Sequence, residues 1–314
     1  MIRYLLTRLA IALPTLLAVL TLVFVLVRIV PGDPAFVVLG DQATPEALAE
    51  LRARMGVDQP LWKQYLTFMA GVFSGDFGRS LVTNRPVMSD VMAVLPYTIE
   101  LTVASLAIGV LFGVPLGVWA GRHRDKTPDW IARIVSLAGL SFPAFVSGVL
   151  MLVAFAVQLN WFPVISKGVP LDEPVERLRS LALPALNLGL IMTAYVTRVT
   201  RSGMIKSLSE DYVRTARAKG MPARVVVWRH AFRNVLIPIV TVIGLYLGVL
   251  IGNSVLTEIV FNRPGLGKLI VGALEKRDYA MLQGLMVSYA FLIVIVNLLT
   301  DLAYGFVDPR VKAT

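Results

Sequence analysis

Six long apolar runs constrain this chain more than any motif it carries. They are Leu9–Val27, Ile99–Ala120, Ile134–Val157, Leu181–Val199, Leu236–Ile259 and Leu285–Phe306. Each approaches or exceeds the roughly 20 residues that a helix needs to cross a bilayer. Hydrocarbon offers the backbone no hydrogen-bond partner, so such runs must cross as helices. The expected fold is an all-α membrane protein with six transmembrane helices. A length of 314 residues would otherwise suggest about two soluble domains. Composition overrides that reading. The chain is 56% hydrophobic and 16% charged, against about 25% charged for soluble domains, and its mean hydropathy is +0.73. Arg3 and Arg8 precede the first run as in a secretory leader. That run is longer than a usual leader core and no small-residue cleavage pattern follows, so it reads as a retained helix.

The residue inventory excludes several kinds of chemistry. With no cysteine there is no disulfide framework, thiolate nucleophile or Cys-ligated metal. His123 and His230 are the only histidines and lie far apart, so no metal site is expected. The nearest approach to a phosphate loop, Asn262–Ile270 (NRPGLGKLI), has Asn262 in place of the first glycine and Leu269 in place of Ser/Thr. Neither a zinc-protease nor a nucleophile-elbow motif is present. Catalysis and bound cofactors are therefore not expected of this chain, and any energy for transport must come from elsewhere.

Lys and Arg set the expected orientation. The connection Gly121–Arg133 holds Arg122, Arg124, Lys126 and Arg133, and Arg198–Arg233 holds nine bases. The opposite connections are nearly balanced: Gln158–Ser180 has three bases and three acids, and Thr257–Gly284 four and three. The basic connections and both termini are expected in the cytoplasm. The net charge of +10 then reports membrane sidedness, and nucleic acid is not an expected partner. The expected division is an N-terminal transmembrane helix at 1–30, an outer helical segment at 31–96, a five-helix core at 97–306 with a cytoplasmic loop at 200–234, and a tail at 307–314. In the outer segment, Thr44, Pro45 and Gly56 mark the cap, first position and stop of one helix. A second helix follows, with Trp62, Tyr65, Phe68 and Phe73 as possible membrane-surface anchors.

Two spans carry glycine at every fourth residue: Gly109, Gly113, Gly117 and Gly121 in one, Gly244, Gly248 and Gly252 in the other. Such faces allow close helix approach; a sliding seam is the functional alternative. Acids are scarce inside the spans. Glu100, near the outer end of its run, is either functional or tied to a loop. The remaining pathway candidates are neutral: Asn187, Thr193, Tyr195, Asn253, Ser254, Tyr289 and Asn297, each of which reads individually as a helix–helix hydrogen bonder before a substrate contact. The lack of midplane carboxylates disfavours a stand-alone ion-coupled carrier. A membrane scaffold without a transport role is a further alternative.

The stretch Ser209–Asn234 has the form of two helices around Gly220-Met221-Pro222. Ser207 and Glu210 have capping-box spacing, Asp211 falls in the first turn, Gly220 suits a left-handed stop, and Pro222 suits a helix start. Val213, Ala216 and Gly220 line one slim side, ringed by Arg214, Arg217 and Lys219. Three readings stand: an ordinary positive-inside loop, a helix lying on anionic lipid, and a plug for a cleft on a cytoplasmic partner.

At this point the sequence resembles the permeases of ABC importers. Arg214-Thr215-Ala216, then Gly220 after three intervening residues, is similar to their signature loop, and DYVRTARAKG (Asp211–Gly220) resembles the dipeptide/oligopeptide/nickel branch. PGDP (Pro31–Pro34), GDFGRS (Gly75–Ser80), LPYTIEL (Leu95–Leu101), SFPAF (Ser141–Phe145), RHAFRNVLIP (Arg229–Pro238), FNRPGLGKL (Phe261–Leu269), RDYAMLQG (Arg277–Gly284) and VDPRV (Val307–Val311) match in order. The general signature opens Glu-Ala-Ala; Arg214 and Thr215 replace its first two residues, so its glutamate has no counterpart here. The resemblance implies a type I ABC importer permease fold in the bacterial inner membrane. Its partners would be a second permease, two cytoplasmic ATPase subunits that use ATP and Mg, and a solute-binding protein. It makes Glu210, Asp211, Tyr212, Arg214, Thr215, Ala216, Arg217, Ala218, Lys219 and Gly220 the ATPase-coupling helix. The implied cargo is a short peptide, with nickel chelates, glutathione or another small solute as alternatives.

Overall fold

The computed structural model describes residues 2–29, 33–40, 43–170 and 172–307. Pro31 and Gly32 of the PGDP motif, the VDPRV motif beyond Val307 and the rest of the tail lie outside them. In chain order the helices are α1 (Ile2–Ile29), α2 (Pro34–Leu39), α3 (Pro45–Met55), α4 (Leu61–Ser74), α5 (Val87–Arg122), α6 (Thr127–Ser141), α7 (Ala144–Met151), α8 (Pro174–Ser209), α9 (Asp211–Ala218), α10 (Ala223–Val225), α11 (Phe232–Val260), α12 (Leu266–Glu275) and α13 (Tyr279–Val307). Wide π-turns follow α7 at Leu152–Gln158 and join α10 to α11 at Val226–Ala231. Among the described residues, extended pairing is limited to one bridge, Arg79 with Pro86. The chain forms two compact units. One comprises Met1–Leu9, Tyr97–Pro264 and Ile295–Thr314; the other comprises Ala10–Pro96 and Gly265–Val294.

In the first unit α8 is the central helix, with Leu188, Met192, Val196 and Met204 all buried. Its neighbour α5 approaches closely because the glycine ladder leaves no side chain between them. A Cβ on Gly113 would lie 2.8 Å from Val196 Cβ, and one on Gly117 2.5 Å from Thr200 Cβ and 2.8 Å from the Thr197 carbonyl. One on Gly121 would lie 2.6 Å from Met204 Cβ. The ladder therefore works as a packing face. The second ladder behaves differently. Gly244 is packed against Thr300, but a Cβ at Gly248 or Gly252 would meet nothing within 4 Å. Four-residue spacing signals a smooth face without saying whether the same chain covers it.

The third span departs from the expected single helix over Ile134–Val157. α6 and the helix from Ala144 to Gln158 meet at 101°. Pro143 has no N–H to continue α6 and disfavours helical backbone at the residue before it. Phe142 is accordingly extended, at φ −106° and ψ 135°. Asn187 of α8 braces the break: its Nδ2 donates to the Ala144 carbonyl at 2.9 Å, and its Oδ1 accepts from Ser147 Oγ at 2.7 Å. Irregular backbone at membrane depth is tolerated where protein supplies such partners.

Among the described residues five helices are long and apolar enough to span, and the bent pair would make a sixth. The α5–α8 packing decides how that pair crosses. Gly109, Gly113, Gly117 and Gly121 meet Met192, Val196, Thr200 and Met204 in ascending order on both helices. The two helices therefore run in the same direction. Parallel neighbours separated by one connecting element require that element to cross once, so the described residues make six spans.

In the second unit, α4 lies on α1. Phe24 packs on Phe68 and meets the edge of Tyr65, with ring centroids 5.7 and 5.3 Å apart, and Tyr65 Oη lies 2.8 Å from Thr21 Oγ1. Tyr65 and Phe68 thus pack inward, whereas Trp62 and Phe73 remain exposed as expected of surface anchors. The cap and stop of α3 follow the sequence: Thr44 Oγ1 accepts from Ala47 N–H at 3.2 Å, and Gly56 is left-handed at φ 66°. Two of the matched motifs meet at Asp278. Its buried carboxylate caps the first turn of α13 through Met281 N–H at 3.1 Å and accepts from Ser80 Oγ at 2.5 Å and Leu81 N–H at 3.2 Å.

The two ladders carry opposite expectations. Gly117→Val should destabilise the chain by about 1–3 kcal/mol, the usual cost of overpacking. Gly252→Ala should leave its stability nearly unchanged. Thermal unfolding of the detergent-solubilised protein checks both, and equal shifts would contradict the packing assignment.

Candidate functional site

The connection between α8 and α11 builds the site. α8 continues through Ser209, and Glu210 turns the chain with extended backbone, φ −72° and ψ 151°. The expected capping box does not form, because Ser207 is still helical and a cap residue must not be. Its hydroxyl joins a different chain of bonds. Ser207 Oγ donates to the Ala231 carbonyl at 3.0 Å, so Tyr212 Oη donates to Ser207 at 2.5 Å and in turn accepts from Asn234 Nδ2 at 2.9 Å. This relay fastens the first turn of α9 to the ends of α8 and α11.

A second fastening is apolar. Val213 and Ala216 of α9 are buried in one cluster with Val118 of α5, Met204 of α8, and Val226, Val227, Ala231, Val235 and Ile239 of the α10–α11 segment. The slim side expected to face a partner is thus partly turned into the protein's own core. Ala216 holds the helix in place and is not part of its outer face. Asp211, Tyr212, Arg214, Thr215, Arg217, Ala218, Lys219 and Gly220 are exposed. Arg214 and Asp211 lie 3.4 Å apart, a pair too exposed to fix the helix. Gly220 ends α9 as expected, at φ +74°. Its N–H donates to the Arg217 carbonyl at 2.9 Å, and Met221 N–H to that of Ala216 at 3.3 Å, the two bonds of a left-handed helix stop. Nothing lies within 4 Å of a Cβ built there, so the requirement for glycine is conformational.

Beneath this mount lies a cluster that sequence reasoning missed. Asp129, in the first turn of α6, is fully buried. It accepts from Arg201 of α8 through both Nε and Nη2, from Arg133 Nη2 at 2.8 Å, and from Asp125 N–H at 3.0 Å. In the sequence it is one acid in a basic connection. The available signal was its position four residues before Arg133, which gives no hint of the bond to Arg201.

The structure disperses the pathway candidates. Asn187 supports the α6–α7 break, and the buried hydroxyl of Ser254 donates to Ile251 of its own helix at 2.7 Å. Glu100 accepts from Arg177 Nε at 2.9 Å and from buried Arg263 Nη2 at 2.7 Å, and both guanidiniums face the Tyr97 ring. Tyr195 stacks on Tyr246, with centroids 3.6 Å apart. Asn253 is half-buried on α11. Tyr289 belongs to the second unit, beside Leu285. Among the described residues no group of three His, Cys, Asp or Glu could hold a metal.

Six spans, a broken third helix and a short exposed helix bolted to the ends of its neighbours define a polytopic membrane protein. The family described as binding-protein-dependent transport system inner membrane component matches residues 113–313, and its N-terminal counterpart matches residues 1–102. The chain belongs to that family. It is 38% identical over 312 residues, 99% of both chains, to the glutathione transport system permease protein GsiC of Salmonella typhimurium (strain LT2). It is 35% identical to the dipeptide transport system permease protein DppB of Alkalihalophilus pseudofirmus, over 99% of this chain and 100% of that one. Among solved structures, a chain of the MetNI methionine ABC transporter in inward-facing conformations superposes with a TM-score of 0.57 at 17% identity, covering 70% of this chain and 97% of that one. That likeness concerns the fold. The protein is thus a multi-pass inner-membrane permease component of an ABC importer.

The Asp129–Arg201 pair makes a measurable claim. Removing one partner from a buried ion pair costs on the order of 3–5 kcal/mol, whereas replacing both with apolar groups costs much less. Asp129→Ala and Arg201→Met should each lower the unfolding temperature sharply, and Asp129→Leu combined with Arg201→Met should recover much of the loss. Additive losses in the double variant would show that the two groups act independently.

Proposed function

We propose that the chain is one of two permeases forming the translocation path of an ATP-driven importer of short peptides, and that α9 couples it to a cytoplasmic ATPase subunit. The observation that carries the coupling role is the two-sided build of α9. Val213, Ala216 and the Tyr212 relay tie it to α5, α8 and α11, while Arg214, Thr215, Arg217 and Ala218 stay exposed to a partner. ATP bound between two ATPase subunits would favour one permease state through differential contact at this helix. A push on α9 then moves the ends of three spans together. ATP and Mg would be used by the ATPases, and a solute-binding protein would deliver cargo on the outer side. The basic connections and both chain ends are assigned to the cytoplasm by the positive-inside rule.

The peptide assignment rests on the names of the full-length relatives, whose cargoes are dipeptides and glutathione, itself a short peptide. Both are covered by one cargo class, and selectivity between them is assigned to the binding protein.

Two experiments test the coupling role. A cysteine at Ala218 should crosslink to an ATPase subunit in the assembled complex, with a yield that changes between nucleotide-free and ATP-bound states. No crosslink in an active complex would remove the assignment. Gly220→Val places a β-branched residue in left-handed backbone, a strain of about 1–2 kcal/mol. It should retain ATP hydrolysis while losing most peptide uptake, and uptake at the wild-type rate would overturn the role given to this turn.

A further inference from the structure

The second unit contains a pocket of about 650 Å³ that the transport reading does not use. Its walls include Arg28 from the last turn of α1, Gln59, Lys63, Thr67 and Ser74 from α4 and its approach, and Asp76. We propose that this pocket holds the phosphodiester headgroup of an anionic phospholipid, whose acyl chains lie along the exposed face of α4. The inference goes beyond the transport reading and requires only that α1 cross the bilayer.

The charge of the pocket comes first. Neither Arg28 nor Lys63 forms an ion pair among the described residues. Arg28 Nε donates to Gln64 Oε1 at 2.8 Å, which leaves both terminal amino groups for a ligand. Lys63 Nζ donates to Gln59 Oε1 at 3.0 Å and has two N–H groups left. The one acid among the described residues of the lining, Asp76, accepts from Gly78 N–H of its own turn at 2.9 Å. The pocket therefore presents two cations against one engaged carboxylate. Gln64 is locked by its donation to the carbonyls of Val57 at 3.1 Å and Gln59 at 2.7 Å, so its Oε1 holds Arg28 in a fixed place.

The pocket also lies at headgroup depth. The apolar span of α1 covers Ala10–Ile29, so Arg28 stands where hydrocarbon gives way to headgroups. On α4, Lys63, Thr67, Ala70 and Ser74 form the stripe facing the pocket. Trp62, Leu66, Met69 and Phe73 form the adjacent stripe one residue back. Trp62, Leu66 and Phe73 are 66%, 58% and 75% exposed. A soluble anion would use the cations and gain nothing from this apolar stripe. A phospholipid uses both, and tryptophan is a usual residue at that depth.

Lipid retention tests the proposal without reference to uptake, so its failure would leave the transport reading standing. The full chain, purified with its subunits from nanodiscs of phosphatidylcholine containing a minority of phosphatidylglycerol, should retain phosphatidylglycerol selectively in native mass spectrometry. Arg28→Gln with Lys63→Gln should lower that retention about tenfold or more, as the loss of two cations near a membrane surface implies. Glycerophosphoglycerol and inorganic phosphate, which have no acyl chains, should not displace the lipid. Equal retention by the double variant, or displacement by either soluble anion, would overturn the proposal. If the double variant fails to fold, Lys63→Gln alone, on an exposed position of α4, should lower retention about fivefold, and unchanged retention there would be equally fatal.

Discussion

The close approach of α5 to α8 is the interaction on which the rest of the first unit depends. In lipid, helices gain little from hiding apolar side chains from one another, and close van der Waals contact must do the work. Four glycines on one face of α5 allow Met192, Val196, Thr200 and Met204 to pack against its backbone. This seam fixes the direction of both helices and thereby obliges the bent element between them to cross the membrane. It also brings the ends of α5 and α8 together, where Val118 and Met204 become the floor on which α9 is mounted.

That mount explains an arrangement that charge alone made ambiguous. A basic loop beside a membrane span needs no fold. This one has a fold, with a four-group hydrogen-bond relay through Asn234, Tyr212, Ser207 and Ala231 and two buried apolar residues on a helix of only eight. So short a helix would not persist alone in water. Its order comes from the spans it is attached to, and for the same reason a displacement of α9 is passed to them.

Much of this was legible in the sequence, where the signal is local. Span positions follow from apolar length, the ends of α3 from Thr44, Pro45 and Gly56, and the stop of α9 from Gly220. What was not legible depends on partners distant in the chain. The capping-box reading of Ser207 failed because the end of α8 is set by tertiary contacts, which gave its hydroxyl to Ala231. Asp129 drew no reading from the sequence because Arg201, its main partner, lies 72 positions away. Asn187 has the helix-to-helix hydrogen-bonding role read for it beside the pathway role, but nothing in its own neighbourhood shows the break at Pro143 that it supports. The second glycine ladder has the same spacing as the first, yet nothing of this chain fills the space at Gly248 and Gly252.

Under the coupling role proposed for α9, work reaches the spans through contact, and contact imposes two opposite requirements on one short segment. Toward the spans the segment must be stiff, or a push is lost as local bending. Toward its partner it must be able to separate and re-engage as that partner changes state, so it cannot be bound by a large apolar surface. α9 meets both requirements by dividing them around its circumference. Val213, Ala216 and the Tyr212 relay supply the stiff side. On the other side, Asp211, Arg214, Arg217 and Lys219 are hydrated charges whose contacts form and break in water at modest cost. Enlarging the apolar inner stripe outward would trade reversibility for affinity, which gives a physical reason for an outer face of charge and small residues around Ala218.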